Sequence, residues 1–395
     1  MFEEAAKMTL RHAGALLLSA CLAVTLGACG EDTLQTSAAA PSAPAASEPA
    51  PVSSSGGGAE EETGFPVEVA LDATVSPSLF AGLYAAQEQG YFSAEGLSVE
   101  AVLYTESGAP AVEKAAAGEA DFAVASQAEG MAQALEEGAP VTAVAALQQH
   151  SDLGLLSAQS LNLTRPKALA ETPCTLPSGA LSQALFQTAL EADGGTFSEK
   201  LLSPTDTTAP DWAYEALQNG AEAISCSYGW DGLLCKEQGL DFQFQFYTDI
   251  APQLDGYPAV LAANDTFLAD HAAETKAFLR ALRAGYTYAA QNPQAAAAWV
   301  CERVPAVRDL QTAVERSLTW LAGKYRDEAT HWGALDGTRW NAFFTWMNEH
   351  ALTEASLPLN TGFSEAYLPD AGETAEEAVS SAVSSTAPSS GSAAA

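Results

Sequence analysis

The chain has 395 residues, enough for about two or three domains with sizeable apolar cores. Its 16 basic residues are far outnumbered by 50 acidic ones, so the formal net charge is −34 at pH 7. A protein that binds nucleic acid needs a clustered basic face, and the sequence contains none. The charge balance therefore excludes nucleic acid as a partner.

The first residues have the features of a secretion signal. Lys7 and Arg11 precede an apolar run over 13–26, which is too short for a comfortable membrane span. The run leads into LGAC, which ends at Cys29 and resembles the lipobox of bacterial lipoproteins. That resemblance implies a signal peptide over 1–28, lipidation of Cys29 and attachment to the extracytoplasmic face of the cell membrane through the lipid. The alternative is a short buried helix with an incidental cysteine.

Two segments have a composition that opposes folding. Residues 29–64 and 371–395 are rich in Ala, Ser, Pro, Gly and Glu and contain few large apolar side chains. Such segments cannot bury enough apolar surface to offset the entropy lost on ordering. We expect a disordered tether, a disordered tail and a folded body between them.

The folded body begins with a strand, a helix and a second strand. Apolar side chains alternate over 67–71, and this run stops at Asp72. Ser76 followed by Pro77 is typical of a helix start, and a second strand follows over 97–103. In a βαβ unit ligands bind beyond the carboxyl ends of the strands, so the loop after Asp72 is the first candidate binding loop. An ordinary βα turn of an enzyme would look the same.

Short strand and helix steps continue in two series. The first series ends with a strand over 141–147, the second occupies 165–250, and a strand over 258–263 precedes a helical remainder. This order predicts an α/β protein whose chain crosses twice between two lobes, near 152–160 and 247–258. The expected lobes are 65–155 plus 256–370, and 156–255. Such a body can close on a ligand held in the cleft.

The helical remainder has clear boundaries. Asn264, Asp265 or Thr266 can cap a long helix, which NPQ at 292–294 ends. A later stripe of large apolar residues recurs at helical spacing, and we interpret it as core packing: Trp340, Phe343, Phe344 and Met347.

Four cysteines belong to the folded body, namely Cys174, Cys226, Cys235 and Cys301. No CxxC pair or His-rich spacing accompanies them, so we expect no metal site. A disulfide and buried free thiols both remain compatible with the sequence.

Several blocks in the same order resemble a known family. They are GLYAAQEQGYFSAEGLSVE, AAAGEADFAVASQ, GAPVTAVAALQQHSDLGLLS, YGWDG and RWNAFFTWMNEHAL. These blocks are similar to the substrate-binding subunits of bacterial ABC importers, most closely to binders of pyrimidine precursors of thiamine and more distantly to binders of alkanesulfonate, taurine and nitrate. The resemblance implies a two-lobed type II periplasmic-binding fold with C-terminal helices, a monomer, and delivery of a small solute to an ABC permease and its ATPase.

This sequence departs from the pyrimidine-binding relatives at two places. Those relatives often carry an Asp-Trp pair after the first strand, whereas Ala73 follows Asp72 here. They also carry a His before the first helix, where this chain has Leu79 or Phe80. A stacking wall and a polar contact are therefore lost or replaced.

The loops expected at the cleft restrict the ligand independently of any resemblance. None of them contains Lys or Arg: 72–80, 105–110, 126–130, 148–152, 177–183, 203–212 and 226–232. A sulfonate or phosphate would have to rely on helix N-termini and hydroxyls. The loops do hold aromatic rings and acids, namely Phe80, Trp212, Tyr228, Trp230, Asp72, Glu129, Asp206 and Asp231. This combination favours a flat, neutral or cationic, nitrogen-bearing ligand.

We expect the ligand to contact Asp72, Phe80, Tyr84, Gln127, Ser178, Gly179, Tyr228, Trp230 and Asp231. Two glycines bracket bulky residues in YGWDG, as where backbone turns sharply beside a ligand, so we expect Tyr228 or Trp230 to stack and Asp231 to accept from an amino group. Alternatively, Trp230 anchors the lobe surface and Asp231 caps the next helix, while Ser178 is a plain N-cap. We expect His150 to satisfy a backbone group between the lobes.

A binder of a thiamine-type pyrimidine is the first functional hypothesis, followed by a flavin-like heterocycle and then a sulfonate, taurine or nitrate. An enzyme similar to a pyrimidine synthase is a rival, but the sequence has no GxSxG elbow and no metal-type His pair. We therefore expect neither catalytic residues nor a cofactor. A lipoprotein that serves a sensor or an adhesin is the other rival.

Overall fold

The computed structural model describes residues 64–105, 110–169 and 171–369. The expected signal peptide over 1–28, the lipidated Cys29, the tether apart from Gly64, and the tail over 371–395 lie outside the described residues. Within the described ranges, every helix is too short or too polar to span a membrane.

Short, largely apolar segments form the strands of the described chain. They are β1 (Phe65–Asp72), β2 (Leu97–Tyr104), β3 (Phe122–Ala125), β4 (Val141–Ala146), β5 (Leu153–Ala158), β6 (Cys174–Pro177), β7 (Leu202–Thr205), β8 (Ala223–Ser227), β9 (Phe242–Phe246) and β10 (Val260–Asn264). All four side chains of β3 are buried, as expected for a strand covered on both faces of a mostly parallel sheet.

The strands form two sheets of five strands each, and each sheet is the centre of one lobe. The lobe 1 sheet has the order β2-β1-β3-β10-β4, and the lobe 2 sheet has the order β7-β6-β8-β5-β9. In each sheet the antiparallel strand is the one that arrives from the other lobe, β10 in lobe 1 and β5 in lobe 2. The chain therefore passes twice between the lobes, over residues 147–152 and 247–259, which we call the first and second crossovers.

The helices connect the strands and then extend the body after β10. They are α1 (Ala81–Glu88), α2 (Tyr91–Ala94), α3 (Pro110–Ala117), α4 (Ala132–Glu136), α5 (Ala180–Ala192), α6 (Trp212–Gln218), α7 (Leu233–Glu237), α8 (Asp265–Asp270), α9 (Ala272–Gln291), α10 (Pro293–Arg303), α11 (Gln311–Leu321) and α12 (Gly337–Glu349). A 3₁₀ turn over Pro77–Phe80 precedes α1, and Ser76 makes no capping side-chain bond to it.

The predicted long helix after β10 is two helices. Asn264 caps the first, because its Oδ1 accepts from the amides of Thr266 and Phe267 at 2.9 and 3.0 Å. His271 then leaves the helical region at φ −128° and ψ 44°. Its ring packs 4.9 Å from Phe65 and 5.0 Å from Phe267 between ring centres. Phe65 lies 206 positions before His271 in the chain. The sequence near His271 therefore does not indicate that the helix breaks there.

The C-terminal helices pack against both lobes. The stripe of α12 that was predicted to be core is buried, with Trp340 and Phe344 fully inaccessible. Further along α12, the Trp346 indole donates to Thr188 Oγ1 on α5 of lobe 2 at 3.0 Å. The four cysteines of the described part are free and buried, so buried thiols, and not a disulfide, are the alternative that the fold supports.

Candidate functional site

The carboxyl ends of the parallel strands mark the candidate site, since open α/β sheets bind ligands at that edge. In both lobes the third parallel strand leads directly into a π-helical turn. These turns are Gln127–Met131 after β3 and Tyr228–Gly232 after β8, and we call them the lobe 1 turn and the lobe 2 turn. Single π turns are rare and occur frequently at functional sites. Each of these two carries an acidic residue, Glu129 or Asp231.

Asp72 ends β1 beside the lobe 1 turn. Its Oδ1 accepts from Thr74 N at 2.9 Å and from Thr74 Oγ1 at 2.8 Å. Burial nevertheless raises the pKa of the Asp72 carboxyl, because the loss of water outweighs the two hydrogen bonds. Desolvation also raises the pKa of Glu129, and the charge of Asp72 adds to that rise. The residue Glu129 is exposed overall, so we infer that neighbouring atoms remove part of its water while leaving it within reach of a solute.

Two other expected contacts of lobe 1 lie in its core. Phe80 is 1% exposed and Tyr84 is 3% exposed, and their rings meet edge to face at 6.4 Å. Arg303 of α10 covers the Tyr84 ring at 5.2 Å. Burial raises the pKa of Tyr84 to about 12. Both residues therefore pack α1 against the core of lobe 1. The helical spacing of apolar residues in the sequence does not distinguish a core residue from one that faces the cleft.

Gln127 is buried and fastens the lobe 1 turn to other parts of the chain. Its Nε2 donates to the Trp340 carbonyl at 3.2 Å, and its Oε1 accepts from the Tyr257 amide at 2.9 Å. Its own amide donates to the Tyr257 carbonyl at 3.1 Å. Both ends of the side-chain amide are thus engaged, so Gln127 joins the turn to the second crossover and α12.

Ser178 and Gly179 lie exposed at the start of α5. The amide and the hydroxyl of Ser178 both donate to the Thr205 carbonyl, at 3.2 and 3.1 Å, and so tie the ends of β6 and β7 together. The residue at the N-cap position is Gly179, which has a φ of 137° that favours glycine. Ser178 is therefore not the N-cap of α5.

Within the lobe 2 turn, Trp230 and Asp231 are buried and bonded to the protein. The Trp230 indole donates to the Pro210 carbonyl at 2.8 Å. Asp231 Oδ2 accepts from the Ser227 amide at 3.0 Å, and Trp212 also donates to this carboxyl. Burial raises the pKa of Asp231 to about 7, and the charge of Asp152 contributes to the rise. Asp231 does not cap α7: the residue at the N-cap position is Gly232, which has no side chain, and α7 begins at Leu233.

The residue Asp152 joins the lobe 2 turn to the first crossover. Its Oδ2 accepts from Ser227 Oγ at 2.6 Å and from the Gly229 amide at 2.8 Å. A Cβ at Gly229 would lie 2.7 Å from this carboxyl and 2.7 Å from the Trp320 ring, so only glycine fits. Sequence reasoning gave Asp152 no role, because its partners lie 75 and 77 residues away.

Tyr228 faces a different surface from Trp230. Its ring centre lies 5.0 Å from Phe244, 5.6 Å from Phe246 and 5.5 Å from Trp320. A cavity of about 570 Å³ opens beside this aromatic cluster, and its walls are Tyr228, Lys236, Leu240, Asp241, Phe242, Phe244, Phe246 and Trp320. Tyr228 and Trp230, the two alternatives for the stacking residue, therefore have separate surroundings.

An ion-pair network holds the two crossovers together. His150 Nδ1 lies 2.6 Å from Asp255 Oδ2, and its Nε2 lies 2.6 Å from Glu328 Oε1, so His150 contacts carboxylates and not the expected backbone group. Arg339 of α12 donates to Gln149 Oε1 at 3.0 Å and to the Tyr257 hydroxyl at 2.8 Å. The sequence indicates no role for Arg339, because its partners lie 190 and 82 residues away.

The same region contains the group of described residues that could hold a metal ion. The ligand atoms of His150, Asp327 and Glu328 lie within 4.8 Å of one another. Lys324 already pairs with Asp327 at 2.7 Å, and an Arg339 nitrogen lies 2.7 Å from the His150 ring. Because two cations occupy the positions beside these ligands, we assign the group to the ion-pair network.

Comparisons with known proteins agree with this architecture. The family model described as NMT1/THI5 like matches residues 78–296. The formylaminopyrimidine-binding protein of Halalkalibacterium halodurans is 24% identical over 305 residues, which cover 75% of this chain and 89% of that protein.

Solved structures show the same fold at low identity. The periplasmic aliphatic sulphonate-binding protein of Escherichia coli is 13% identical with a TM-score of 0.59, over 78% of this chain and 94% of that one. The periplasmic nitrate-binding protein of Synechocystis PCC 6803 is 15% identical with a TM-score of 0.53, over 81% of this chain and 89% of that one. The predicted two-lobed periplasmic-binding fold is thereby confirmed. Because the family match covers more than half of its residues, the chain belongs to the NMT1/THI5-like family.

Proposed function

We propose that the protein is an extracytoplasmic solute-binding subunit of an ABC importer and that it captures a small aromatic nitrogen heterocycle, such as a pyrimidine precursor of thiamine. The family match and the two-lobed fold support a binding protein. The formylaminopyrimidine-binding relative supports a pyrimidine ligand. In this proposal the lobes close on the ligand, and Cys29 carries the lipid that holds the protein at the membrane.

The observation that carries the ligand class is the pair of acidic turns at the carboxyl edges of the two sheets. Asp72 and Glu129 supply carboxyl groups from lobe 1, and Asp231 supplies one from lobe 2. No Lys or Arg stands in either turn or in the loop after Asp72. Carboxyl oxygens accept hydrogen bonds from amino groups and ring N–H groups, whereas a sulphonate or nitrate requires donors or cations. The electrostatics therefore favour a ligand that donates hydrogen bonds.

The raised pKa of Asp231 allows its carboxyl both to accept a hydrogen bond from a heterocycle and to donate one to it. A carboxyl whose pKa is about 7 is present in both protonation states near neutral pH. Its ionised form accepts from an exocyclic amino group, and its neutral form also donates to a ring nitrogen. An aminopyrimidine offers both kinds of partner on adjacent atoms. Glu129, which is exposed, provides a second carboxyl from lobe 1 that can accept a hydrogen bond from an amino group.

A panel of thermal unfolding measurements tests the proposal. A ligand that binds only the folded state raises its stability by about 2.7 kcal/mol at a hundredfold excess over Kd. We expect a higher melting temperature with a formylaminopyrimidine or a hydroxymethylpyrimidine and no change with taurine or nitrate. A rise with taurine and none with any pyrimidine would overturn the assignment of the ligand class.

Two matched variants locate the binding. Asp231→Asn removes the ionisable group of the lobe 2 turn, and Glu222→Gln removes an exposed carboxyl that directly precedes β8, at the end of the strand away from the turn. We expect the pyrimidine-induced shift to shrink in the first variant and to persist in the second. Equal shifts in both would place the ligand away from the lobe 2 turn.

A further inference from the structure

Helix α11 belongs to lobe 1 by its packing and also reaches lobe 2. It packs against α9, α10 and the 3₁₀ turn before α1, and on its other side against α7 and the lobe 2 turn. The apolar cluster that contains Val314 and Leu318 of α11 consists mainly of lobe 1 residues, and Trp230 and Leu234 are its buried members from lobe 2. The lobe 2 turn, which carries Asp231, therefore packs partly against a helix of lobe 1.

A hydrogen bond fixes the contact between α11 and the lobe 2 turn. Ser317 of α11 is fully buried, and its hydroxyl donates to the Gly229 carbonyl at 2.6 Å. On the opposite side of the same residue, the Gly229 amide donates to Asp152 at 2.8 Å. The backbone at the centre of the lobe 2 turn is thus hydrogen-bonded on both sides, to Ser317 of α11 and to Asp152 of the first crossover.

The fit around Gly229 leaves the turn little freedom. A Cβ at position 229 would lie 2.7 Å from the Trp320 ring of α11, which is too close. An ion pair between Arg316 and Glu237 also joins α11 to α7. Trp230 and Asp231 follow Gly229 directly in the chain. A shift of the Gly229 peptide would therefore displace the indole and the carboxyl that follow it.

We propose that Ser317 is a positioning residue for ligand binding: from the C-terminal helices, and without touching the ligand, it sets the orientation of the lobe 2 turn. The inference rests on the proposed function, since it assigns the ligand contacts to that turn. In this proposal, part of the affinity for the ligand depends on a side chain that lies 88 residues from Gly229 in the sequence. The alternative is that the hydrogen bond contributes only to folding.

The experiment compares hydroxyl deletions on one helix. Ser317→Ala removes the bond to Gly229, whereas Thr319→Ala removes a hydroxyl that is bonded within α11, to the Glu315 carbonyl at 2.8 Å. Calorimetric titration of each purified protein with a formylaminopyrimidine gives Kd. We expect Kd to rise about five- to tenfold for Ser317→Ala, since a buried hydrogen bond is lost, and to stay at the wild-type value for Thr319→Ala.

A second pair of variants separates positioning from packing. Ser317→Thr and Ser317→Val add the same bulk at this buried site, and only the threonine keeps the hydroxyl. We expect tighter pyrimidine binding by the Thr variant than by the Val variant. Equal Kd values for these two, or a lower melting temperature for Ser317→Ala with an unchanged Kd, would show that the bond serves folding alone and would overturn the proposal.

A readout without ligand keeps the two proposals distinguishable. Amide hydrogen exchange of the segment over 227–233 reports the order of the lobe 2 turn directly. We expect faster exchange there in Ser317→Ala than in the wild type or in Thr319→Ala. If no pyrimidine binds the wild type but this difference is present, the proposed ligand is wrong and the positioning of the turn stands. Equal exchange in all three proteins would contradict the positioning role itself.

Discussion

Substituting Asp231 by Asn should change how the stability of the protein depends on pH. The folded state retains the Asp231 proton up to about pH 7, whereas an unfolded chain releases it near the ordinary value of 3.8. Between these pH values the native state binds more protons than the unfolded state, so this carboxyl makes the protein less stable as pH rises. The full difference in pKa corresponds to about 4 kcal/mol of unfolding free energy.

The Asn side chain carries no such proton. It also offers one acceptor oxygen in place of the two carboxyl oxygens that serve the Ser227 amide and the Trp212 indole, and this loss costs about 1 kcal/mol. We therefore expect Asp231→Asn to gain stability relative to the wild type as pH rises from about 4 to 7, and the difference to be constant above that range. Thermal unfolding of both proteins across this interval, without ligand, measures the difference.

Asp206→Asn provides the control. The carboxyl of Asp206 is exposed, and hydrogen bonds from Thr208 lower its pKa. It therefore stabilises the folded state at pH values above its unfolded pKa and loses that contribution as pH falls. The Asp206→Asn variant should show no relative gain between pH 4 and 7. Parallel pH profiles for the wild type and Asp231→Asn would show that burial does not perturb Asp231 and would refute the reasoning.

Two further predictions concern residues that hold the lobes together. Gln127→Leu leaves the buried Tyr257 amide without its acceptor, so we expect a loss of about 1 to 3 kcal/mol of unfolding free energy in denaturant titrations. The Kd for a formylaminopyrimidine should not change. Weaker binding at unchanged stability would instead make Gln127 a ligand contact. The hydrogen bond to Asp255 is the main cause that raises the pKa of His150, so its stabilising contribution is fully present below pH 6.5 and is lost as pH rises through the folded pKa. His150→Gln should therefore destabilise the protein more at pH 6 than at pH 9 in thermal unfolding, and equal destabilisation at both pH values would exclude the ion pair as the cause.

The sequence predicts what depends on local pattern. Alternation over 67–71, the turn residues after Asp72 and the cap at Asn264 each reflect contacts between near neighbours, and β1, β10 and α8 form there. The order of the segments also predicts two passages between lobes. In the structure the antiparallel strand of each sheet directly follows a strand of the other sheet, and β5 belongs to the lobe 2 sheet from Leu153 onward, so the first crossover lies earlier than the expected crossing near 152–160.

Side-chain direction is what the sequence does not determine. Phe80 and Tyr84 lie on a helix near the cleft loop, yet their rings point into the lobe 1 core. Gln127 begins the lobe 1 turn, yet its amide bonds to segments 130 and 213 residues away. Periodicity assigns a residue to a face of a helix, and only the folded arrangement shows what covers that face.

The residues that sequence reasoning missed share a second property. Asp152, Ser317 and Arg339 each act through partners more than 70 residues away. No spacing rule connects such positions, and each side chain alone has an ordinary interpretation as a turn, helix or surface residue. Their contacts exist only after both lobes and the C-terminal helices have assembled.

Calorimetric titration of the purified protein with a formylaminopyrimidine and, separately, with taurine tests the central claim most directly. The acidic turns of both lobes, which carry no Lys or Arg, predict saturable binding of the pyrimidine and no heat of binding with taurine. Saturable binding of taurine together with no binding of the pyrimidine would contradict the account.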